Sequence, residues 1–185
     1  MKWYKFNIND MTKAEYDAFL SLMNAEKRER VNRFKSEADK KLCVCGEMLA
    51  KRAVSEISGK KIEELVFEAQ KGGKPVCKNA DVWFSISHSG EYAVCAVSDR
   101  PVGIDIERIK PYNESIARRI CTLKELEAIE KSGDKAREFI KIWTQKEAAL
   151  KRDGKGVFSS GIKACLLDRR IETIEFEDYF VSICE

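Results

Sequence analysis

Two carboxylates stand two residues apart in a short segment that alternates between apolar and polar residues, 102–107 (VGIDIE). If the segment is a β-strand, Asp105 and Glu107 lie on one face with their Cα atoms about 7 Å apart. Such a pair can approach one hard cation, and Mg²⁺ is typically held by a few carboxylates together with substrate phosphate and water. The same spacing is also typical of the solvated polar face of an edge strand, and the spacing alone does not decide between the two.

A second candidate is the helical pattern 143–151 (WTQKEAALK). Glu147 and Lys151 are one turn apart and share a face, whereas Lys146 points about 100° away. The simplest interpretation is a surface ion pair that contributes only a few tenths of a kcal/mol. Alternatively, Glu147 is a third carboxylate that completes a site begun by Asp105 and Glu107, with both lysines ready for phosphate oxygens.

The single histidine, His88, lies at the end of a predicted strand in 84–90 (FSISHSG), beside Ser87. A histidine there can donate to a phosphate or act as a base, or it can make a structural hydrogen bond in a turn. A serine hydrolase is a poor fit, because the chain has no GxSxG elbow. The segment 72–75 (GGKP) lacks the spacing and the following helix of a P-loop, and the basic run around Lys27 and Arg30 is either a solvated helix face or a phosphate clamp.

Composition limits the class of protein. The 185 residues carry 34 Lys and Arg against 31 Asp and Glu, a net charge of +3, which does not suggest a nucleic-acid platform. Nine Phe, five Tyr and three Trp provide material for a core. The seven cysteines form no CxxC pair, so we expect reduced, buried side chains rather than a metal site. The longest apolar stretch, 92–97, is too short to span a bilayer, and the first ten residues lack a secretory signal, so we expect a cytoplasmic protein without membrane association.

The elements that must position these residues follow from periodicity and capping. We expect helices from Thr12 to Met23, from Ser36 to about Ile57, over 114–120, after Thr122, and over 134–152. We expect strands over 2–8, 66–69, 82–87, 92–98, 102–106, 171–176 and 179–184. The turns at 88–91 and 99–101 both predict antiparallel neighbours. The order predicts an α+β fold of two pseudo-symmetric lobes, 1–100 and 101–185, each a small, mostly antiparallel sheet packed with helices.

Taken in order, GGKP, FSISHSG, PVGIDIE and WTQKEAALK resemble the 4′-phosphopantetheinyl transferase superfamily, in particular the two-lobed members that activate surfactin synthetase. The resemblance runs from about Lys27 to the final strand. It implies the fold described above and Mg²⁺-dependent transfer of the phosphopantetheine arm of coenzyme A to a serine of an apo acyl or peptidyl carrier protein, with release of 3′,5′-ADP. It also implies a monomer, and Mn²⁺ is an alternative ion because oxygen ligands serve both metals.

The resemblance also implies roles for individual residues. Asp105, Glu107 and Glu147 would hold the metal, Glu125 would be the general base for the serine, and Lys151 would assist the leaving phosphate. His88, Ser87 and Lys146 would contact coenzyme A phosphates, Lys74 would lie near the nucleotide, and Lys27 and Arg30 would grip the 3′-phosphate. The chain departs from the family pattern at Ser85, where many members have asparagine, and at Leu42 and Cys43, which replace a basic and hydroxyl pair.

Two other functions are consistent with the residues. The acidic strand, Glu147 and the nearby lysines would also suit a metal-dependent nuclease or nucleotide hydrolase. A non-catalytic member of the family would bind coenzyme A or a carrier protein as a scaffold. The kind of carrier stays open, and we expect its recognition to involve the helices after Pro111.

Overall fold

The computed structural model describes the chain except for residues 70–72, 156–161, 165 and 167–169. The described residues divide into two compact units, Met1–Arg100 and Pro101–Glu185, which are called the N-terminal and C-terminal units below. Gly72 of the GGKP segment and Cys165 lie outside the described residues.

The N-terminal unit is built on a three-stranded antiparallel sheet in the order β1-β5-β4. Its strands are β1 (Lys2–Asn7), β4 (Trp83–Ser89) and β5 (Tyr92–Ser98). The β4–β5 hairpin turns at Gly90, whose positive φ of 56° glycine adopts without a Cβ penalty. The antiparallel pairing predicted from residues 88–91 is therefore confirmed.

Helices and a small second sheet complete this unit. The helices are α1 (Lys13–Leu22), α2 (Ala25–Arg33) and α3 (Glu37–Ser58), and the second sheet pairs β2 (Phe67–Ala69) with β3 (Pro75–Cys77), a strand the sequence did not predict. The predicted start of α3 is confirmed, because the Ser36 hydroxyl accepts a bond from the Asp39 amide. Helix α3 packs on the three-stranded sheet, and Gly46 permits close packing, since a Cβ there would lie 2.8 Å from Ile86.

The C-terminal unit repeats this connectivity. It consists of β6 (Gly103–Arg108), α4 (Glu114–Ile120), α5 (Leu123–Lys131), α6 (Lys135–Arg152), β7 (Ile171–Phe176) and β8 (Tyr179–Cys184). The sheet order is β6-β8-β7, all antiparallel, and α6 packs on β6 and β8. In both units the first strand pairs with the last strand, and a long helix separates the first strand from a closing hairpin. The predicted α+β fold with two similar lobes is confirmed.

One predicted pairing is wrong. The turn at 99–101 does not join antiparallel neighbours, because β6, the strand after it, pairs with β8, at the end of the chain. Turn chemistry reports only that the chain reverses, and the partner of the next strand is decided by packing far away in sequence.

Two expectations about composition can be compared with the described residues. No helix among them is long and apolar enough to cross a membrane. Six described cysteines are free, and four of these are buried, namely Cys45, Cys95, Cys121 and Cys184. The buried, reduced state expected for the cysteines is confirmed at those four positions.

Candidate functional site

The polar face of β6 lies beneath helix α6 rather than in solvent. Asp105 is only 3% exposed, so the solvated edge alternative is wrong for this residue. Gly103 explains the close approach, because a Cβ at that position would clash with the backbone oxygen of Ala148 and the backbone nitrogen of Arg152. The glycine two residues before the first carboxylate therefore allows α6 to lie directly over the acidic face of the strand.

Lys151 joins the helix to the strand. Its Nζ donates to Oδ1 of Asp105 at 2.7 Å, and the two side chains are 29% and 5% exposed. The sequence suggested a surface pair with Glu147 on the same helix, but the structure pairs the lysine with the strand carboxylate. A partly buried, charge-assisted bond of this kind is stronger than an exposed i,i+4 pair.

Glu147 lies close enough to both strand carboxylates to be coupled to them. Burial raises its pKa to about 7, the negative charge of Asp105 raises it further, Lys151 opposes the rise, and Glu107 adds a smaller increase. Glu107 is the most exposed of the three and accepts a bond from Lys110 at 3.2 Å. The structure thus brings the three carboxylates predicted from the sequence into one electrostatic cluster.

The chemistry of this cluster fits a hard divalent cation. Three carboxylates offer the oxygen donors that Mg²⁺ prefers, and their mutual repulsion, visible in the raised pKa of Glu147, is what a bound cation would neutralise. As the side chains are placed, however, no group of three His, Cys, Asp or Glu residues among the described residues could hold a metal ion. The donor set therefore fits Mg²⁺ in type and charge, while a ligating arrangement is not formed.

Glu125 occupies the first turn of α5, where the predicted capping box with Thr122 is confirmed. Its Oε2 accepts a 2.6 Å bond from the Thr122 amide, and its Oε1 receives the Lys146 ammonium at 2.9 Å. Lys146 is fully buried and also donates to the backbone oxygens of Ile162 and Lys163, at 3.0 and 3.1 Å. The sequence singled out both residues but gave no sign that they pair.

A cavity of about 190 Å³ in the N-terminal unit gathers a second set of candidates. Lys27 and Arg30 from α2 line it together with His88 from β4. Two predicted residues do not: Ser87 is 7% exposed and, as the neighbour of His88 on a strand, faces the other side, while Lys74 lines a separate pocket beside Trp83.

Glu47 is a cavity residue that the sequence analysis missed. It lies on α3, is 8% exposed and forms an ion pair with Lys27, so the cavity contains an acid as well as its bases. A signal was present, since a glutamate within the buried stripe of α3 needs a partner. Leu42 and Cys43 line the same wall, and burial raises the pKa of the Cys43 thiol, so this part of the cavity is apolar.

Comparison with known proteins covers nearly the whole chain. Residues 10–100 match the family model of the 4′-phosphopantetheinyl transferase N-terminal domain, and residues 101–181 match that of the 4′-phosphopantetheinyl transferase superfamily. The 4′-phosphopantetheinyl transferase psf-1 of Bacillus pumilus is 37% identical over 135 residues, which are 71% of this chain and 58% of the relative.

Two further relatives agree. The 4′-phosphopantetheinyl transferase Sfp of Bacillus subtilis (strain 168) is 33% identical over 150 residues, or 80% of this chain and 67% of the relative. The 4′-phosphopantetheinyl transferase gsp of Aneurinibacillus migulanus is 30% identical, over 81% of this chain and 64% of the relative. The matched regions thus span between 58% and 67% of the length of these relatives. Both family models and these identities show that the chain belongs to the 4′-phosphopantetheinyl transferase superfamily.

Proposed function

We propose that this protein transfers the phosphopantetheine arm of coenzyme A to a serine of an apo acyl or peptidyl carrier protein. The serine oxygen forms a bond to the phosphorus that carries the arm, the pyrophosphate P–O bond breaks, and 3′,5′-ADP leaves. The observation that carries the proposal is the buried cluster of Asp105, Glu147 and Lys151, in a chain of this superfamily. The reaction concentrates negative charge on phosphate oxygens, and positioning and charge neutralisation are its main catalytic requirements.

The acidic cluster is the proposed metal site. Asp105, Glu107 and Glu147 would hold Mg²⁺, with Mn²⁺ as the alternative, and the ion would neutralise charge on the pyrophosphate. Lys151, which keeps 29% of its side chain exposed above Asp105, would stabilise the departing phosphate. Glu125, with 17% of its side chain exposed, would accept the proton of the serine hydroxyl.

The cavity of the N-terminal unit is the proposed nucleotide site. Lys27, Arg30 and His88 provide donors for phosphate oxygens, with Arg30 suited to a bidentate grip on a terminal phosphate. The apolar wall of Leu42 and Cys43 would contact the adenine face without a charged partner. For Lys74 and Ser87, contact with coenzyme A rests on the family resemblance alone.

The test is the mass of a carrier protein after incubation. Purified protein, coenzyme A and Mg²⁺ are mixed with several apo acyl and peptidyl carriers, and each carrier is weighed by mass spectrometry. We expect a gain of one phosphopantetheine group, which disappears when the acceptor serine of the carrier is replaced by alanine. Asp105→Asn should abolish the gain, whereas Asp99→Asn, which changes a carboxylate whose side chain is 86% exposed, should not. Unchanged masses for every carrier would overturn the proposal.

The same mixtures distinguish the other functions. Cleavage of coenzyme A, nucleotides or nucleic acid without a carrier would indicate a metal-dependent hydrolase or nuclease instead. Binding of coenzyme A in a calorimeter without any transfer would indicate a scaffold. We also propose that the protein acts as a cytoplasmic monomer, which light scattering and cell fractionation would test.

A further inference from the structure

Lys146 has no capacity left for a phosphate in the arrangement observed. An ammonium group carries three N–H donors. Three oxygens lie at 2.9, 3.0 and 3.1 Å from Nζ, namely Glu125 Oε1 and the carbonyls of Ile162 and Lys163. The residue is fully buried on α6, so a coenzyme A phosphate would have to displace one of these partners and gain access to the interior.

Lys151, one turn and one residue further along α6, provides the contrast. Its side chain is 29% exposed and its printed partner is a side chain, Asp105, rather than backbone carbonyls. A lysine in that position can reach a ligand without breaking the backbone contacts of a loop. The two lysines of the WTQKEAALK segment therefore have different surroundings, although the sequence offered both for phosphate oxygens.

The partners of Lys146 fix the carboxylate of Glu125 from one side. Oε2 of Glu125 is held by the Thr122 amide in the capping box, and Oε1 is held by the Lys146 ammonium. Each carboxylate oxygen can accept two bonds, so both retain a site for a further proton. Because the Glu125 side chain is 17% exposed, that capacity is reachable from solvent, while its orientation is set by α6 and by the 3₁₀ turn Ile162–Ala164.

We propose that Lys146 is a positioning residue, which orients Glu125 to accept the serine proton and does not bind coenzyme A. This inference rests on the proposed transferase function and on the role of Glu125 in it. In the reaction, the serine proton moves to the Glu125 carboxylate while the Lys146 ammonium keeps its three protons. This role differs from the phosphate contact that the family resemblance implies for Lys146.

The test separates binding from turnover. Lys146→Met, Glu125→Gln, the double variant and the control Lys141→Met, which changes a lysine of α6 with 43% side-chain exposure, are assayed for carrier transfer. Calorimetry with coenzyme A gives its Kd and the fraction of folded, binding-competent protein, to which kcat is normalised. Lys146→Gln, whose amide can still donate to the carbonyls, is assayed in parallel for the case in which the Met variant does not fold.

We expect the Kd and KM of coenzyme A to stay within about twofold of wild type in the Lys146 variants, while kcat falls about 100-fold, as for loss of an oriented general base. The double variant should be no slower than Glu125→Gln, because Lys146 acts through Glu125. A Kd weakened tenfold or more with kcat retained, or a double variant whose losses multiply, would overturn the positioning role alone. Absence of transfer by the wild-type protein on every carrier would overturn the proposed function and, with it, this inference.

Discussion

Replacing Glu147 with glutamine should stabilise the metal-free protein, and only at a pH where the carboxyl is ionised. The pKa of Glu147 rises from its ordinary value of 4.5 to about 7, chiefly through burial and then through Asp105. The folded state therefore binds this proton more tightly than the unfolded chain does. As the pH rises from below 4.5 to above 7, the folded state loses stability relative to the unfolded state.

The size of the effect follows from the shift. At 1.36 kcal/mol per pKa unit, a rise from 4.5 to about 7 corresponds to about 3 kcal/mol at pH 8. Glutamine has nearly the same shape and no charge to desolvate, so Glu147→Gln should recover most of that amount at pH 8. At pH 5 the buried carboxyl is still protonated in the folded state, and the two proteins should differ by less than about 1 kcal/mol.

Urea unfolding in the presence of EDTA measures this difference. The free energy of unfolding is obtained for wild type and Glu147→Gln at pH 5 and at pH 8, with Glu127→Gln on the exposed face of α5 as the control. The control should change by less than about 0.5 kcal/mol at either pH. A Glu147→Gln variant that gains nothing at pH 8, or gains equally at both pH values, would contradict the assigned burial and repulsion.

The same titration tests the proposed metal site. Saturating Mg²⁺ at pH 8 should raise the unfolding free energy of wild type by about 2.7 kcal/mol at 100 times its Kd. The Glu147→Gln variant should gain much less, because one of its three proposed oxygen ligands has lost its charge. An equal gain in both proteins would mean that the ion binds elsewhere.

Three further substitutions test the packing and the charges. Gly103→Ala should destabilise the protein by about 3 kcal/mol, because the new Cβ meets the backbone of Ala148, whereas Gly133→Ala, with no atom within 4 Å, should be tolerated; equal melting temperatures would contradict the close packing of α6. Lys151→Met should cost about 2 kcal/mol in urea unfolding, since it leaves a buried carboxylate without its ammonium, and should also remove transfer activity; a fully active variant would exclude a role at the leaving phosphate. Arg30→Met should raise the KM of coenzyme A about tenfold but leave that of 3′-dephospho-coenzyme A unchanged, and equal effects on both would place the 3′-phosphate elsewhere.

Local patterns predicted the parts of the fold that local chemistry decides. The Ser36 and Thr122 caps, the alternation along β6 and the β4–β5 hairpin each depend on residues within a few positions of one another. The pairing of β6 with β8 could not be found in this way, because it joins segments about seventy residues apart and depends on how α6 covers the sheet.

The candidate site shows the same division. Helical spacing correctly separated Lys146 from the face shared by Glu147 and Lys151, but it could not say which face would be buried. The structure places Lys146 in the interior and Lys151 over Asp105. Likewise, adjacent positions on a strand suggested a joint role for Ser87 and His88, although the pleat turns them to opposite faces.

The acidic cluster is costly for a fold that needed only stability. Asp105 and Glu147 are 3% and 7% exposed, and their mutual repulsion is compensated in part by Lys151. Apolar residues of similar size at these positions would pack beneath α6 without any desolvation penalty. Real proteins break the rule against buried like charges mainly where function needs them, and a group that supplies positive charge then offsets the penalty. The opposite responses expected at pH 8, a gain from Glu147→Gln without Mg²⁺ and a gain from Mg²⁺ only in wild type, would show that the same repulsion that weakens the metal-free fold is what attracts the cation.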